Sequence, residues 1–272
     1  MPTNQSSDLR KVKTMRYYVV DAFTDQLFSG NPAGVCPLES WLSDDLMQNI
    51  ARENNLAETA FAVRQGQAYG LRWFTPIMEI ALCGHATLAT AFVLSKFYDQ
   101  TAGSFEFRTM SGPLFVEKKG DWFEMNFPAR RDEETAVTEI MRRAVGRPIV
   151  GARGGYNLTL ELEDEKAVRE MTPDTSAMRE MPEYHGVIVT AAGSDCDFVS
   201  RFFAPNMGID EDPVTGSSHT SLIPFWAARL GKKELTARQL SRRGGSLVCR
   251  DGGERVYISG QARLYLVGDL QL

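Results

Sequence analysis

Three short stretches hold the side chains able to do acid–base or nucleophilic chemistry. Glu58 sits within Leu56-Ala57-Glu58-Thr59-Ala60-Phe61-Ala62-Val63, a largely apolar run. A carboxylate partly withdrawn from water favours its protonated form, which suits a general acid or base working near neutral pH. The plain reading of the same segment is a solvated glutamate on the wet face of a half-buried strand. Cys83-Gly84-His85 places a thiol and an imidazole at an expected helix start. There a thiol's pKa falls and it can act as nucleophile or base, although Cys is also a common small buried residue. The third stretch, Asp212-Pro213-Val214-Thr215-Gly216-Ser217-Ser218-His219, packs a carboxylate, three hydroxyls and an imidazole into a turn and helix start. Capping alone would account for Asp, Thr and Ser at such a place.

Two other schemes fit these residues less well. Cys83, His85 and His219 could ligate a metal, but the chain has only three histidines and no closely spaced ligand pair on a helix. Ser217 or Ser218 with His219 could form a hydrolase pair. Adjacent residues at a helix start rarely point at one another, and no G-x-S-x-G elbow is present.

Two of the three stretches belong to one internal repeat. Arg72, Phe74, Pro76, Met78 and Ile80 recur as Arg201, Phe203, Pro205, Met207 and Ile209, all at the offset that takes 72 to 201. The glycine ending each copy, Gly84 or Gly216, lies three positions further apart, which places the extra residues of the second copy within Asp210 to Thr215. A duplicated strand, turn and helix implies two similar halves related by a pseudo-two-fold, each bringing the same turn to a shared cleft. Free N–H groups and the positive dipole end at Gly84-His85 and Gly216-Ser217 would suit a carboxylate or phosphate. A glycine that only shapes a strand-to-helix turn is the simpler alternative.

The elements around these turns follow from periodicity and punctuation. Arg16 to Phe23 reads as a strand, Phe28 to Pro32 as a turn, and Ser43-Asp44-Asp45 opens a helix that stops at Asn54-Asn55 and leads into the Glu58 strand. Gly70 to Phe74 is a strand, and His85 to Phe97 a helix apolar all round, which must be surrounded. Strands at Ser104–Thr109, Leu114–Glu117 and Trp122–Phe127 suggest a barrel wrapped on that helix. The charged run Pro128–Glu134 marks the boundary, dividing the chain into 15–130 and 131–272, with the C-terminal segment free to pack on the first part. The second part reads as a helix Thr135–Val145, an alternating strand at Leu158-Leu160-Leu162, a short charged helix, and strands His185–Ala192 and Asp197–Phe203. A helix Ser217–Leu230, kinked at Pro224, and closing strands Val256–Ser259 and Ala262–Val267 complete it. The fold class is α+β: two similar halves, each an antiparallel barrel around a central helix.

Composition narrows the partners. The 272 residues carry a net charge of −5, with 43% hydrophobic and 24% charged residues, an ordinary globular balance without a basic footprint for nucleic acid or an anionic membrane. A small-molecule partner is expected. Ile80–Ser95, the uncharged stretch around the first repeat, is too short for a membrane span, and Met1–Thr14 is polar without the apolar core of a signal peptide. A cytoplasmic location is therefore the default. Cys36, Cys83, Cys196 and Cys249 form no CxxC pair and read as reduced thiols.

At Phe28-Ser29-Gly30-Asn31-Pro32-Ala33, Asn55-Leu56-Ala57-Glu58-Thr59-Ala60-Phe61, Arg72-Trp73-Phe74-Thr75-Pro76, Cys83-Gly84-His85-Ala86-Thr87 and Asp212-Pro213-Val214-Thr215-Gly216-Ser217 the sequence resembles the PhzF-like family, in order and spacing. The resemblance implies the diaminopimelate-epimerase-like fold with the site between its halves. It implies Glu58 as the general acid/base moving a proton between carbons, His85, Asp212 and Ser217 assisting, and Gly84 and Gly216 lining an anion site. No metal or organic cofactor is implied. Cys83 sits where thiol-dependent epimerases of this fold keep one of two cysteines, and Pro213 falls at about the place of the other, so a two-thiol racemase is not expected. The function implied is a cofactor-independent isomerase or epimerase acting on a small carboxylate-bearing metabolite, with a homodimer as the expected assembly. A non-catalytic small-anion-binding or interaction protein on the same fold is the alternative. Members of the family differ widely in substrate, so the resemblance assigns none.

Overall fold

Capping residues set the clearest element ends. Ser43 accepts a hydrogen bond from the Leu46 N–H at 3.3 Å, and Asn55, in the left-handed region at φ 49°, closes the helix between them. The structure, a computed structural model, describes residues 14–272. The reading of Met1–Thr14 as a polar tail lies outside the described residues except at Thr14, which opens the first strand.

Strands β1 (Thr14–Ala22) and β2 (Asn31–Leu38) precede helix α1 (Asp44–Asn54), which delivers the chain into β3 (Glu58–Gln65). β3 runs parallel to β2, Ala33 opposite Glu58, and antiparallel to β4 (Ala68–Phe74). The short β5 (Glu79–Ile80) folds back on β4 before helix α2 (Gly84–Phe97). β6 (Ser104–Thr109), β7 (Gly112–Lys119) and β8 (Trp122–Pro128) form an antiparallel meander. Then come β9 (Glu133–Glu134), α3 (Glu139–Val145), β10 (Ile149–Gly154), β11 (Leu158–Leu162), α4 (Glu165–Glu170), α5 (Thr175–Arg179), β12 (Val187–Ala192) and β13 (Phe198–Ala204). The chain ends through β14 (Ile209–Asp212), α6 (His219–Leu230), β15 (Glu234–Gln239), β16 (Gly245–Asp251), β17 (Arg255–Gly260) and β18 (Ala262–Gln271). The fold is mixed α+β, mostly sheet with few helices.

Both repeat helices are buried on most sides, as their lack of a polar face requires. α2 packs against β1, β2, β3, β8 and β18, and α6 against β15, β16 and β17. Leu88 and Leu94 of α2 share one core with Leu222 and Ile223 of α6. A second core lies under α3 and α5, a third under α1. The last strands return to the first half: β17 pairs with β8, and β18 with β1. No described helix is long and apolar enough to cross a membrane.

The repeat is built from a matched pair of clamps. Arg72 donates to both Glu79 oxygens at 2.7 Å, and Arg201 to those of Glu211 at 2.7 and 3.0 Å, a bidentate geometry that fixes each hairpin. Each guanidinium also lies over the ring two residues on, Arg72 at 5.2 Å from Phe74 and Arg201 at 5.1 Å from Phe203. This register corrects the sequence alignment. Trp73 faces Ile80 while Phe202 faces Asp212, so the three extra residues are 208–210, at Gly208 and the start of β14 ahead of Glu211, and not within Asp210 to Thr215.

Other element readings also shift. The helix expected from Thr135 begins at Glu139, because the Thr135 N–H joins Ala152 O at 3.0 Å and Thr138 takes the cap. The helix expected from Ser217 begins at His219, after a turn in which the His219 N–H bonds Gly216 O at 3.1 Å. α6 continues through Pro224. β10, β15 and β16 were not read from the sequence. In β15 the inward positions are Leu235, Ala237 and Gln239, and the polar third member hides the alternation.

Candidate active site

Glu58 is the first residue of β3, delivered there by the left-handed stop at Asn55, and is only 7% exposed. His85, in the first turn of α2, brings Nε2 to 3.1 Å from Glu58 Oε2. The two atoms are at ion-pair distance but off the N–H axis, so each remains buried without a completed hydrogen bond. The other ring nitrogen, Nδ1, lies 3.2 Å from Asn31 Nδ2 and 3.5 Å from Cys83 Sγ. Asn31, at the start of β2, donates to Asp212 Oδ1 at 2.8 Å and Val214 O at 2.9 Å. The second Asp212 oxygen accepts from the Thr215 hydroxyl. Gln239 closes this network: its Nε2 donates to Asp212 O at 2.7 Å, and its Oε1 accepts from the Thr215 N–H at 2.8 Å. Glu58, His85 and Asp212, distant in sequence, thus form one cluster, with Glu58 and His85 buried and Asp212 half-buried.

Burial disfavours a charged His85, yet Cys83 and Glu58, through charge and hydrogen bonding, outweigh it and hold the imidazole well above its ordinary pKa. Burial first, and the Glu58 charge second, push the Cys83 thiol up. At neutral pH the thiol therefore stays protonated. Burial also pushes Asp212 up to about 6, with His85 pulling down and Glu58 adding repulsion.

The two repeat glycines touch. A Cβ on Gly84 would lie 3.7 Å from Gly216 Cα, and one on Gly216 would lie 3.8 Å from Gly84 Cα and 3.6 Å from the Phe23 ring. Among the described residues, no acceptor takes the N–H groups of Gly84, His85, Gly216, Ser217 or Ser218. Five donors are therefore left around one contact between two turns, an anion-binding arrangement. Ser217 is half-buried beside Gly216 and stands apart from the Glu58–His85–Asp212 network.

The rival schemes meet physical obstacles. His219 is fully buried with Nδ1 donating to Thr215 O at 2.8 Å, and burial holds its pKa down to about 4. Ser218 is equally buried and donates to the same carbonyl at 2.8 Å, so this pair offers no accessible nucleophile. Among the described residues, the set placed to hold a metal ion is Glu58, Cys83 and His85, with ligand atoms within 4.8 Å of one another, without His219. Glu58 and Cys83 approach opposite nitrogens of the His85 ring, which is unfavourable for one shared ion. The turn of the second copy, Asp212 to Ser217, carries no thiol to match Cys83.

Asn31 and Gln239 are the site residues that the sequence reading did not single out. Their signal was slight: an amide just before Pro32, and a polar residue at an inward strand position.

The sequence profile of the family described as "Phenazine biosynthesis-like protein" matches residues 20–268. An uncharacterized isomerase of Pseudomonas aeruginosa is 52% identical over 259 residues, covering 95% of this chain and 99% of the relative. The crystal structure of a PhzF-family phenazine biosynthesis protein of Enterococcus faecalis superposes with a TM-score of 0.94 at 48% identity, covering 96% of this chain and all of that one. A hydroxyproline epimerase of Agrobacterium vitis, 11% identical with a TM-score of 0.62 over 95% of this chain and 93% of its own, shares the fold.

Proposed function

The chain belongs to the phenazine biosynthesis-like family, and from that membership we propose that it is a cofactor-independent isomerase or epimerase that moves a proton between carbons of a small carboxylate-bearing metabolite. The proposed frame is two barrel-like halves, 15–130 and 131–272, wrapped on α2 and α6, with the site where the helix starts abut. A second copy of the chain and a cytoplasmic setting complete the proposal. The observation that carries it is the buried, hydrogen-bond-unsatisfied contact of Glu58 Oε2 with His85 Nε2 at 3.1 Å, beside the touching glycines.

In this reading the substrate carboxylate lies on the N–H groups of Gly84, His85, Gly216 and Ser217, which leaves a neighbouring C–H facing Glu58. Glu58 takes the proton. The electron pair left on carbon delocalises toward the carboxylate or an adjoining double bond, where the N–H groups and the His85 imidazolium stabilise it. Glu58 then returns the proton to a different carbon, or to the other face of the same one. Asp212 fixes the Asn31 amide beside the His85 ring, and the Ser217 hydroxyl is free to contact the substrate.

A panel of cyclic and linear 2-amino, 3-hydroxy and unsaturated carboxylates followed by NMR in D₂O tests the proposal. At least one member should lose a C–H signal in an enzyme-dependent way. Glu58→Gln should slow that exchange by roughly 10²–10⁴-fold, and Cys83→Ala should keep substantial activity. A rate within a few-fold of the parent in Glu58→Gln would instead favour an anion-binding protein without catalysis. A substrate that loses a leaving group to water while its C–H signals stay intact would refute the isomerase reading.

A further inference from the structure

A cavity of about 470 Å³ opens beside α6, lined in part by Arg130, Asp132, Arg153, Thr159, Ser221 and Phe225. It shares no lining residue with the Glu58–His85–Asp212 cluster. Four polar atoms at its floor are buried without a hydrogen-bond partner: Arg130 Nη1, Asp132 Oδ2, Thr159 Oγ1 and Ser221 Oγ. All four belong to residues that line this one cavity, and Arg130 acts on the Asp132 carboxylate as the opposite charge. Thr159 and Ser221 are 4% and 5% exposed. Buried polar groups are rarely left unpaired, because each costs about 1–3 kcal/mol. Four around one cavity mark a place built for a polar occupant.

The surroundings hold these groups ready. Arg130 lies over the Tyr156 ring at 4.1 Å, which in turn stacks on His185 at 4.6 Å, so the guanidinium is held in place from one side. Asp132 reaches the floor by crowding against Gly155, where a Cβ would fall 2.1 Å from Oδ1. Of the other lining arginines, Arg153 pairs with Glu134, Arg229 pairs with Glu161, and Arg131 donates to Gly253 O at 3.3 Å. What remains is the Arg130 guanidinium with the Asp132 carboxylate and two hydroxyls, facing a single space. A single water has at most about four hydrogen bonds to give, and the cavity is of small-ligand size.

We propose that this cavity is a second ligand site, separate from the catalytic cluster, for a small carboxylate that also carries an amino or hydroxyl group. The ligand carboxylate pairs with Arg130, and its N–H or O–H donates to Asp132. The site is coupled to the first turns of α6, since Arg130 N–H bonds Thr220 O at 3.0 Å and Ser221 belongs to that helix. The approach to α6 carries Gly216 and Ser217.

The chain's three histidines make the test local. His185 stacks on the Tyr156–Arg130 pair, His85 lies in the catalytic cluster and His219 is sealed in the core. L-Serine titrated into the full-length protein, followed by the histidine ring signals, should move His185 saturably. Arg130→Met should weaken that response by roughly tenfold or more, while leaving any response of His85 unchanged. Acetate, which lacks the donor, should move His185 only at higher concentration. If Arg130→Met does not fold, Ser221→Ala serves in its place and should weaken the same response. An unmoved His185, a His185 response equal for serine and acetate, or one that survives the substitutions would overturn the second site. None of these results depends on whether His85 responds, so the catalytic proposal stands or falls separately.

Discussion

His85 and His219 both lie in the first turns after the repeated glycines, and burial acts on both to disfavour charge. Glu58 faces the first, whereas the second meets the Thr215 carbonyl and the Ser218 hydroxyl. One is therefore poised as an imidazolium and the other is a neutral core residue. The pH consequence for His219 follows from linkage. Its pKa is about 4 in the folded chain and 6.5 unfolded, so the unfolded state binds more protons between those values. Stability is lost as pH falls through that window, by roughly 3 kcal/mol. Asp212, raised from 3.8 to about 6, works in the opposite sense over the same range. His219→Asn, whose amide can still donate to Thr215 O, separates the two. Urea unfolding at pH 7.5 and 4.5 should show the parent losing stability relative to this variant. Parallel losses would mean that His219 is not held neutral.

The strand-turn-helix unit is the element that makes a site possible. The Arg72–Glu79 and Arg201–Glu211 clamps hold each turn rigid, so that the glycines at their ends can meet. The contact has room for a methyl group. The nearest atoms to an added Cβ lie at 3.7 Å for Gly84 and 3.6 Å for Gly216, which is ordinary van der Waals contact. Gly84→Ala and Gly216→Ala should therefore fold with little change in Tm, since neither glycine sits in the left-handed region. The added methyl groups would crowd the free N–H donors, and turnover should fall by roughly 10- to 1000-fold. Wild-type turnover in both variants would show that these turns do not hold the substrate.

At the scale of the whole molecule, the proposed halves 15–130 and 131–272 exchange strands. β17 completes the first half's meander through β8, and β18 covers β1 along its whole length. Cutting the chain at residue 130 would leave β8 and β1 with open ladders and split the core that Leu88 and Leu222 share. Each fragment expressed alone should aggregate or remain unfolded, while the two co-expressed should associate and recover a cooperative transition. A fragment 131–272 with a sharp, reversible unfolding curve of its own would contradict this.

What the sequence by itself determined is local or repeated. Ser43 and Asn55 mark the ends of α1 because a cap interacts with backbone a few residues away. The repeat is legible because two copies of one strand-turn-helix unit preserve the same arginine, proline and glycine positions. Glu58, His85, Asp212 and Gly216 were reachable through family motifs, and His85 and Asp212 prove to lie in one network with Glu58. Tertiary structure alone decided the rest. Asn31 bridges to Asp212 across 181 residues, and Gln239 reaches back to the same turn from an unrecognised strand. Hydrogen-bond register, rather than residue likeness, placed the insertion ahead of Glu211. The opposed protonation of His85 and His219 depends on a carboxylate brought near one of them and not the other, and no local pattern in the chain encodes that distance.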